Sequence, residues 1–147
     1  MIVHYGMPRR TGDIDLLAVV PHGMTQLLQE LAGEGSRPHR THLVHLQQVG
    51  VATVPEDYQE RLVEMFPGEY TRFRLLALDP YDLALSKLER NLAVDREDVK
   101  YLARTVPLRP AVLETRYQQE LRPYLSNAAR HDLTLRLWLE AAFPVPG

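Results

Sequence analysis

The sequence contains no cysteine, which excludes disulfides, thiolate nucleophiles and cysteine-ligated zinc, and leaves oxygen and imidazole groups to carry any chemistry. No apolar run approaches the roughly 20 residues that a membrane-spanning helix requires, so no transmembrane segment and no membrane partner are expected. The N-terminal Met1-Ile2-Val3-His4-Tyr5-Gly6 lacks the charged lead and long apolar stretch of a secretory signal, which makes a cytoplasmic location the default expectation. There is also no surplus of charge. A formal net charge of −2 provides no general attraction to a polyanion, and nucleic acid is not expected as a partner except as an acceptor. No glycine-rich loop of the P-loop or dinucleotide type occurs, and Ser36, Ser86 and Ser126 lack a nucleophile-elbow context. The six histidines include an i, i+3 spacing at His39 and His42, while His42 and His45 on a strand would face opposite sides, so no zinc site is expected.

What remains is an ordinary globular composition, 45% apolar and 24% charged over 147 residues, enough for one domain with a core and too little for two. The expected fold class is α+β, a small mixed β-sheet flanked by helices, with a sheet-containing part at about 1–78 and a helical part at about 79–147. The run Ile14, Leu16, Leu17, Ala18, Val19, Val20, closed by Pro21, predicts a buried strand from Asp13. Met24, Leu27, Leu28 and Leu31 then recur at helical spacing until Gly33 and Gly35. The surface basic segment Arg37-Pro38-His39-Arg40 reads as a loop, residues 41–54 as two short strands or one bulged strand, and Arg72 to Leu78 as another strand. Asp79-Pro80 opens a helix, with an N-cap acceptor followed by a proline where no amide bond is lost, and its stripe is Tyr81, Leu85, Leu88, Leu92. A second helix opens at Asp95-Arg96-Glu97-Asp98, a third follows Pro110 and breaks near Pro123, and the composition of Asp132 to Phe143 favours a fourth.

Chemistry concentrates in Arg9-Arg10-Thr11-Gly12-Asp13-Ile14-Asp15. Alternate residues of a strand project to one side, so Asp13 and Asp15 would stand together with backbones about 7 Å apart. Two ionised carboxylates so placed repel each other, and a divalent cation between them relieves the repulsion. Mg²⁺ held by one or two carboxylates and substrate phosphates is the usual arrangement for phosphoryl chemistry. The ordinary alternative is a strand that merely begins with two acids. Lys87 lies one turn beyond Leu83 and can reach over the apolar face toward a phosphate, or equally serve as a snorkelling surface lysine. Asp95 and Asp98 are explained by helix capping without any ligand.

Together, Arg9-x-Thr11-x-Asp13-Ile14-Asp15 and the later Asp79-Pro80-Tyr81-Asp82-Leu83-Ala84-Leu85-Ser86-Lys87-Leu88-Glu89-Arg90 with Asp95-Arg96-Glu97-Asp98-Val99 resemble a bacterial family of unknown function related to nucleotidyltransferases. That family is similar in turn to the nucleotidyltransferase toxins of AbiE-type toxin–antitoxin systems. The resemblance covers roughly residues 1–106, and the ordered pair of motifs is more specific than either motif alone. It implies the polymerase β-like nucleotidyltransferase fold, with Mg²⁺ as cofactor and a nucleoside triphosphate as substrate. By position it implies metal binding by Asp13 and Asp15, contact of Lys87 with the triphosphate, and a substrate-side place for Arg9, Thr11, Asp95 and Asp98. A cognate antitoxin or other protein partner is implied as well.

Two departures from the family pattern stand out. A Gly-Gly or Gly-Ser turn ordinarily precedes Asp-x-Asp and lets backbone amides approach the phosphates. It is missing here, which leaves two expectations: a true start upstream, or a lost phosphate cradle. The third carboxylate of a later strand is also missing, because His42 to Val49 contains no acid; His45 is the nearest proton acceptor. The leading expectation is therefore a Mg²⁺-dependent nucleotidyltransferase, and its alternative a catalytically idle module of the same fold that binds a nucleotide or a protein.

Overall fold

The computed structural model describes residues 5–18, 23–49 and 53–143. The protein is mixed α/β, as expected. Contacts group the described residues into two compact units, one within 8–49 and the other made of 5–7 with 53–143.

In the smaller unit, β1 (Asp13–Leu16) is followed by α1 (Met24–Ala32), α2 (Arg37–His42) and β2 (His45–Gln48). β1 and β2 pair in parallel, with Asp13 opposite His45 and Asp15 opposite Gln47. The expected long buried strand is thus a correction. β1 ends at Leu16, its first three residues are exposed, and among the described residues β2 is its one neighbour. The remainder of the predicted run, from Val19, lies outside the described residues. A second correction concerns 37–42, read from sequence as a loop and the start of a strand region. Ser36 accepts a hydrogen bond from the His39 amide and Pro38 occupies the first turn, so this basic segment is capped as a helix. Leu43 then leaves the helix in the left-handed region (φ 56°).

In the larger unit, β3 (Val63–Met65) and β4 (Leu75–Ala77) form an antiparallel hairpin. Among the described residues the strands therefore form two separate two-stranded ladders, one parallel and one antiparallel, rather than one mixed sheet. β3 was not foreseen, because three residues are too few for alternation to register. The helices are α3 (Pro80–Ser86), α4 (Ala93–Thr105), α5 (Pro110–Arg116) and α6 (Ala128–Ala142), with a π turn at Tyr117–Leu121 and a 3₁₀ turn at Arg122–Tyr124 between the last two. The core is helical: Leu85, Leu88, Leu102, Tyr117 and Leu121 are each at most 1% exposed.

Asp79 caps α3 as its sequence predicts, accepting from the Asp82 amide at 2.8 Å. The helix nevertheless ends earlier than its apolar stripe, at Ser86, with Lys87 as its C-cap. Leu88 is buried from the connecting turn, while Leu92 serves as the N-cap of α4 and is half exposed. The turn is held by Asn91, which adopts φ 47° and accepts from the indole Nε1–H of Trp138 on α6 at 3.0 Å. Asn tolerates that backbone region better than most residues, so the chain can reverse there without glycine.

Asp132 on α6 accepts from Arg122 Nε at 2.8 Å and from the Tyr117 hydroxyl at 2.6 Å. The Arg122 and Tyr117 hydrogen bonds hold its carboxyl down at about 2. The folded-state value lies below that of an unfolded aspartate, so the contribution is complete above about pH 4 and lost as pH falls through about 2. Acid titration of the native protein is expected to show the Asp132 carboxyl resonance moving near pH 2, and Arg122→Gln to return it toward the usual carboxylate range. A wild-type midpoint near 4 would contradict the ion pair.

Candidate functional site

Asp13 and Asp15 alternate along β1 and so leave it on the same side, as the Asp-x-Asp spacing requires. Both are exposed. The Thr11 hydroxyl donates to Asp13 Oδ1 at 3.0 Å, fixing one carboxylate from two residues upstream. Neither acid forms an ion pair among the described residues. Across the parallel ladder, His45 lies opposite Asp13 and Gln47 opposite Asp15, so this side of the sheet also carries an imidazole and an amide. The His45 ring packs on that of His39, with centroids 4.8 Å apart, and its Nδ1 is buried without a hydrogen-bond partner among the described residues. An orphaned polar nitrogen is costly in a finished hydrogen-bond network. Arg9 and Arg10 are exposed just upstream.

These donors suit Mg²⁺. The ion prefers carboxylate oxygens and retains several water or phosphate oxygens, so two unpaired carboxylates on one side of a strand fit it. Among the described residues no three His, Asp or Glu side chains cluster as a metal-holding group, so the protein's own contribution here would be that pair.

The second sequence motif is organised differently from its simplest expectation. Lys87 is largely buried, and its Nζ lies 2.8 Å from Asp98 Oδ2 and 3.6 Å from Asp95 Oδ1. Asp95, in the first turn of α4, accepts from the Leu92 amide at 2.9 Å and takes a bidentate fork from Arg90, with Nε at 2.9 Å and Nη2 at 2.5 Å. Both carboxylates are at most 1% exposed. Burial pushes Asp95 upward, but the Arg90 and Leu92 hydrogen bonds and the charges of Arg90 and Lys87 outweigh it and hold the carboxyl below its usual range. Lys87, Asp95 and Asp98 are thus brought together with each other, and the two acids face the cations rather than solvent. Arg90, which sequence reasoning left without a role, is the most exposed member, at 59% of its side chain. Its signal was its place one turn from Lys87 and just ahead of the α4 cap.

A second buried network was not anticipated at all. Asp82, fully buried, accepts from Arg61 Nε at 2.9 Å and from Arg116 Nη1 at 2.9 Å. Arg61 also reaches Glu120 at 2.5 Å, Arg116 reaches Asp79 at 2.8 Å, and the Arg116 guanidinium lies 4.9 Å from the centre of the Tyr81 ring. Burial lowers the Arg61 pKa, yet its bonds to Asp82 and Glu120 raise it further, so the guanidinium stays charged. Nearby, burial and then the charges of Asp79 and Asp82 push the Tyr5 hydroxyl up to about 12, and it donates to the Leu78 carbonyl at 2.9 Å.

A family model described as nucleotidyltransferase of unknown function (DUF6036) matches residues 1–140, and the chain belongs to that family. No curated protein and no solved structure matches it. Among the described residues, no helix is long and apolar enough to cross a membrane.

Proposed function

We propose that this protein is a Mg²⁺-dependent nucleotidyltransferase that moves a nucleotide unit from a nucleoside triphosphate to an acceptor hydroxyl. The observation that carries the reading is the pair Asp13 and Asp15, exposed on one side of β1 with no ion pair among the described residues. Carboxylates held without a counter-ion are poised for a cation. When bound there, Mg²⁺ would neutralise phosphate charge and ease departure of pyrophosphate. In the reaction the acceptor oxygen forms a bond to the α-phosphorus, the bond to the bridging oxygen breaks, and the acceptor's proton is lost. Thr11 orients Asp13 through its hydroxyl, and Arg9 supplies positive charge upstream of the strand. Asp95 and Asp98 position Lys87, whose ammonium would serve the phosphates.

One observation favours a second reading, a nucleotide- or protein-binding module without turnover. Lys87 already spends its charge on Asp98 and Asp95, and β2 (His45–Gln48) supplies no third carboxylate. The relation to AbiE-type toxins, with an antitoxin as protein partner, belongs with either reading.

Calorimetric titration with ATP, CTP, GTP and UTP in the presence of Mg²⁺ tests the proposal. Wild-type protein is expected to bind at least one of them, and Asp13→Ala with Asp15→Ala to weaken that binding by about 100-fold or more while the circular dichroism spectrum is unchanged. Binding that is indifferent to both the double substitution and Mg²⁺ would rule it out. Release of pyrophosphate on adding an acceptor separates the enzyme from the idle module.

A further inference from the structure

The β3–β4 hairpin displays an aromatic face that the nucleotidyltransferase reading does not use. Tyr70 and Phe73 stack with ring centroids 4.4 Å apart and planes 22° apart, and Phe66 sets its ring edgewise to Tyr70 at 6.5 Å and 88°. These rings remain 42%, 54% and 41% exposed for Tyr70, Phe73 and Phe66, and Leu76 on β4 is exposed as well. Phe66 holds this position with φ 52°, a backbone region that a bulky L-residue enters only at a cost. The hairpin is moreover two-stranded among the described residues. Two strands alone are marginal in water and ordinarily need a further strand or layer.

We propose that this hairpin face is a two-fold interface between two copies of the chain. Charge chooses that occupant over a polyanion. Arg74 is neutralised by Glu64 at 2.8 Å within the hairpin. Glu69 and Arg72, flanking the stacked rings, are both exposed and form no ion pair among the described residues. The face is therefore neutral as a whole and carries one free charge of each sign beside an apolar centre. An isologous contact presents the same patch from both sides, so Glu69 of one copy meets Arg72 of the other, twice, around buried aromatic rings. Aromatic side chains and arginine are the groups enriched in such contacts. A nucleic-acid strand would gain the stacking but meet Glu64 and Glu69 as well as the arginines.

Sedimentation equilibrium of the full chain over a wide concentration range tests this. A monomer–dimer equilibrium is expected, weakened about tenfold or more by either Phe73→Ser or Arg72→Glu. The charge exchange Arg72→Glu with Glu69→Arg is expected to bring dimerisation back to within about threefold of wild type. All substituted side chains are exposed, and unchanged circular dichroism verifies that the variants fold. A monomer at every concentration overturns the proposal, as does dimerisation indifferent to both single substitutions or a charge exchange no better than its parts. A monomeric protein that binds an unpaired oligonucleotide through Phe73 would assign the face to nucleic acid instead.

Discussion

Lys87→Ala is expected to destabilise the protein by about 3–5 kcal/mol, since removing one partner of a buried ion pair leaves its opposite charge uncompensated. Here two carboxylates are affected. Asp98 loses the ammonium at 2.8 Å, while Asp95 keeps the Arg90 fork and the Leu92 amide. The deficit should shrink as the medium is made acidic. Asp95 has a folded-state pKa below its unfolded one, so the stability it contributes is present above the unfolded carboxyl range, near pH 4, and is lost as pH falls through the lower folded value. Urea denaturation of wild type and Lys87→Ala at pH 7 and pH 3 measures both effects. A loss under about 1 kcal/mol at pH 7 would mean that the lysine is held by nothing and is free for substrate. Lys87→Arg, which keeps the charge, separates stability from phosphate binding: a folded variant with reduced nucleotide affinity supports the double role proposed above.

Asp82→Ala is the second large effect, at about 3 kcal/mol, the lower end of the range for a broken buried pair. The carboxylate is fully buried between Arg61 and Arg116, but both guanidiniums retain another acid, Glu120 for the first and Asp79 for the second. That redundancy is why the loss should fall short of the full cost of stranding a charge. Asp82→Asn should be milder, because the amide oxygen can still accept one arginine while its NH₂ opposes the other. A double-mutant cycle of Arg61→Gln with Asp82→Asn, followed by chemical denaturation, is expected to give a coupling of about 1–3 kcal/mol. Additive losses would show that the two residues do not share one network.

Several local features were legible from residue types alone. Asp79-Pro80 marks a helix start because an acceptor and a missing donor answer the helix's own unsatisfied amides, and the cap forms where those residues stand. The alternation of Asp13 and Asp15 follows from strand geometry once the segment is extended. The family resemblance was carried by short ordered motifs and is matched over residues 1–140. Other readings failed for stated causes. Leu88 and Leu92 continue the α3 stripe in sequence, but the helix stops at Ser86, where Asn91 and Trp138 fix a turn through a contact that spans most of the helical unit. The apolar run after Asp13 suggested burial, yet burial depends on how many neighbours a strand acquires, and this one has a single described partner.

By itself, then, the chain's order of residues determined what depends on near neighbours: the mixed α/β class, the caps, the shared side of the Asp-x-Asp pair and the limits set by having no cysteine. Tertiary structure decided which charges meet. Lys87 with Asp98, Arg61 with Asp82 and Arg116 with Asp79 are pairs whose members lie on different elements, and neither spacing nor propensity distinguishes them from the other cations and acids of the chain. Their choice follows from burial, because removing a charge from water is tolerable only where an opposite charge arrives at hydrogen-bonding distance. Asp13 and Asp15 stay in water and need no such partner.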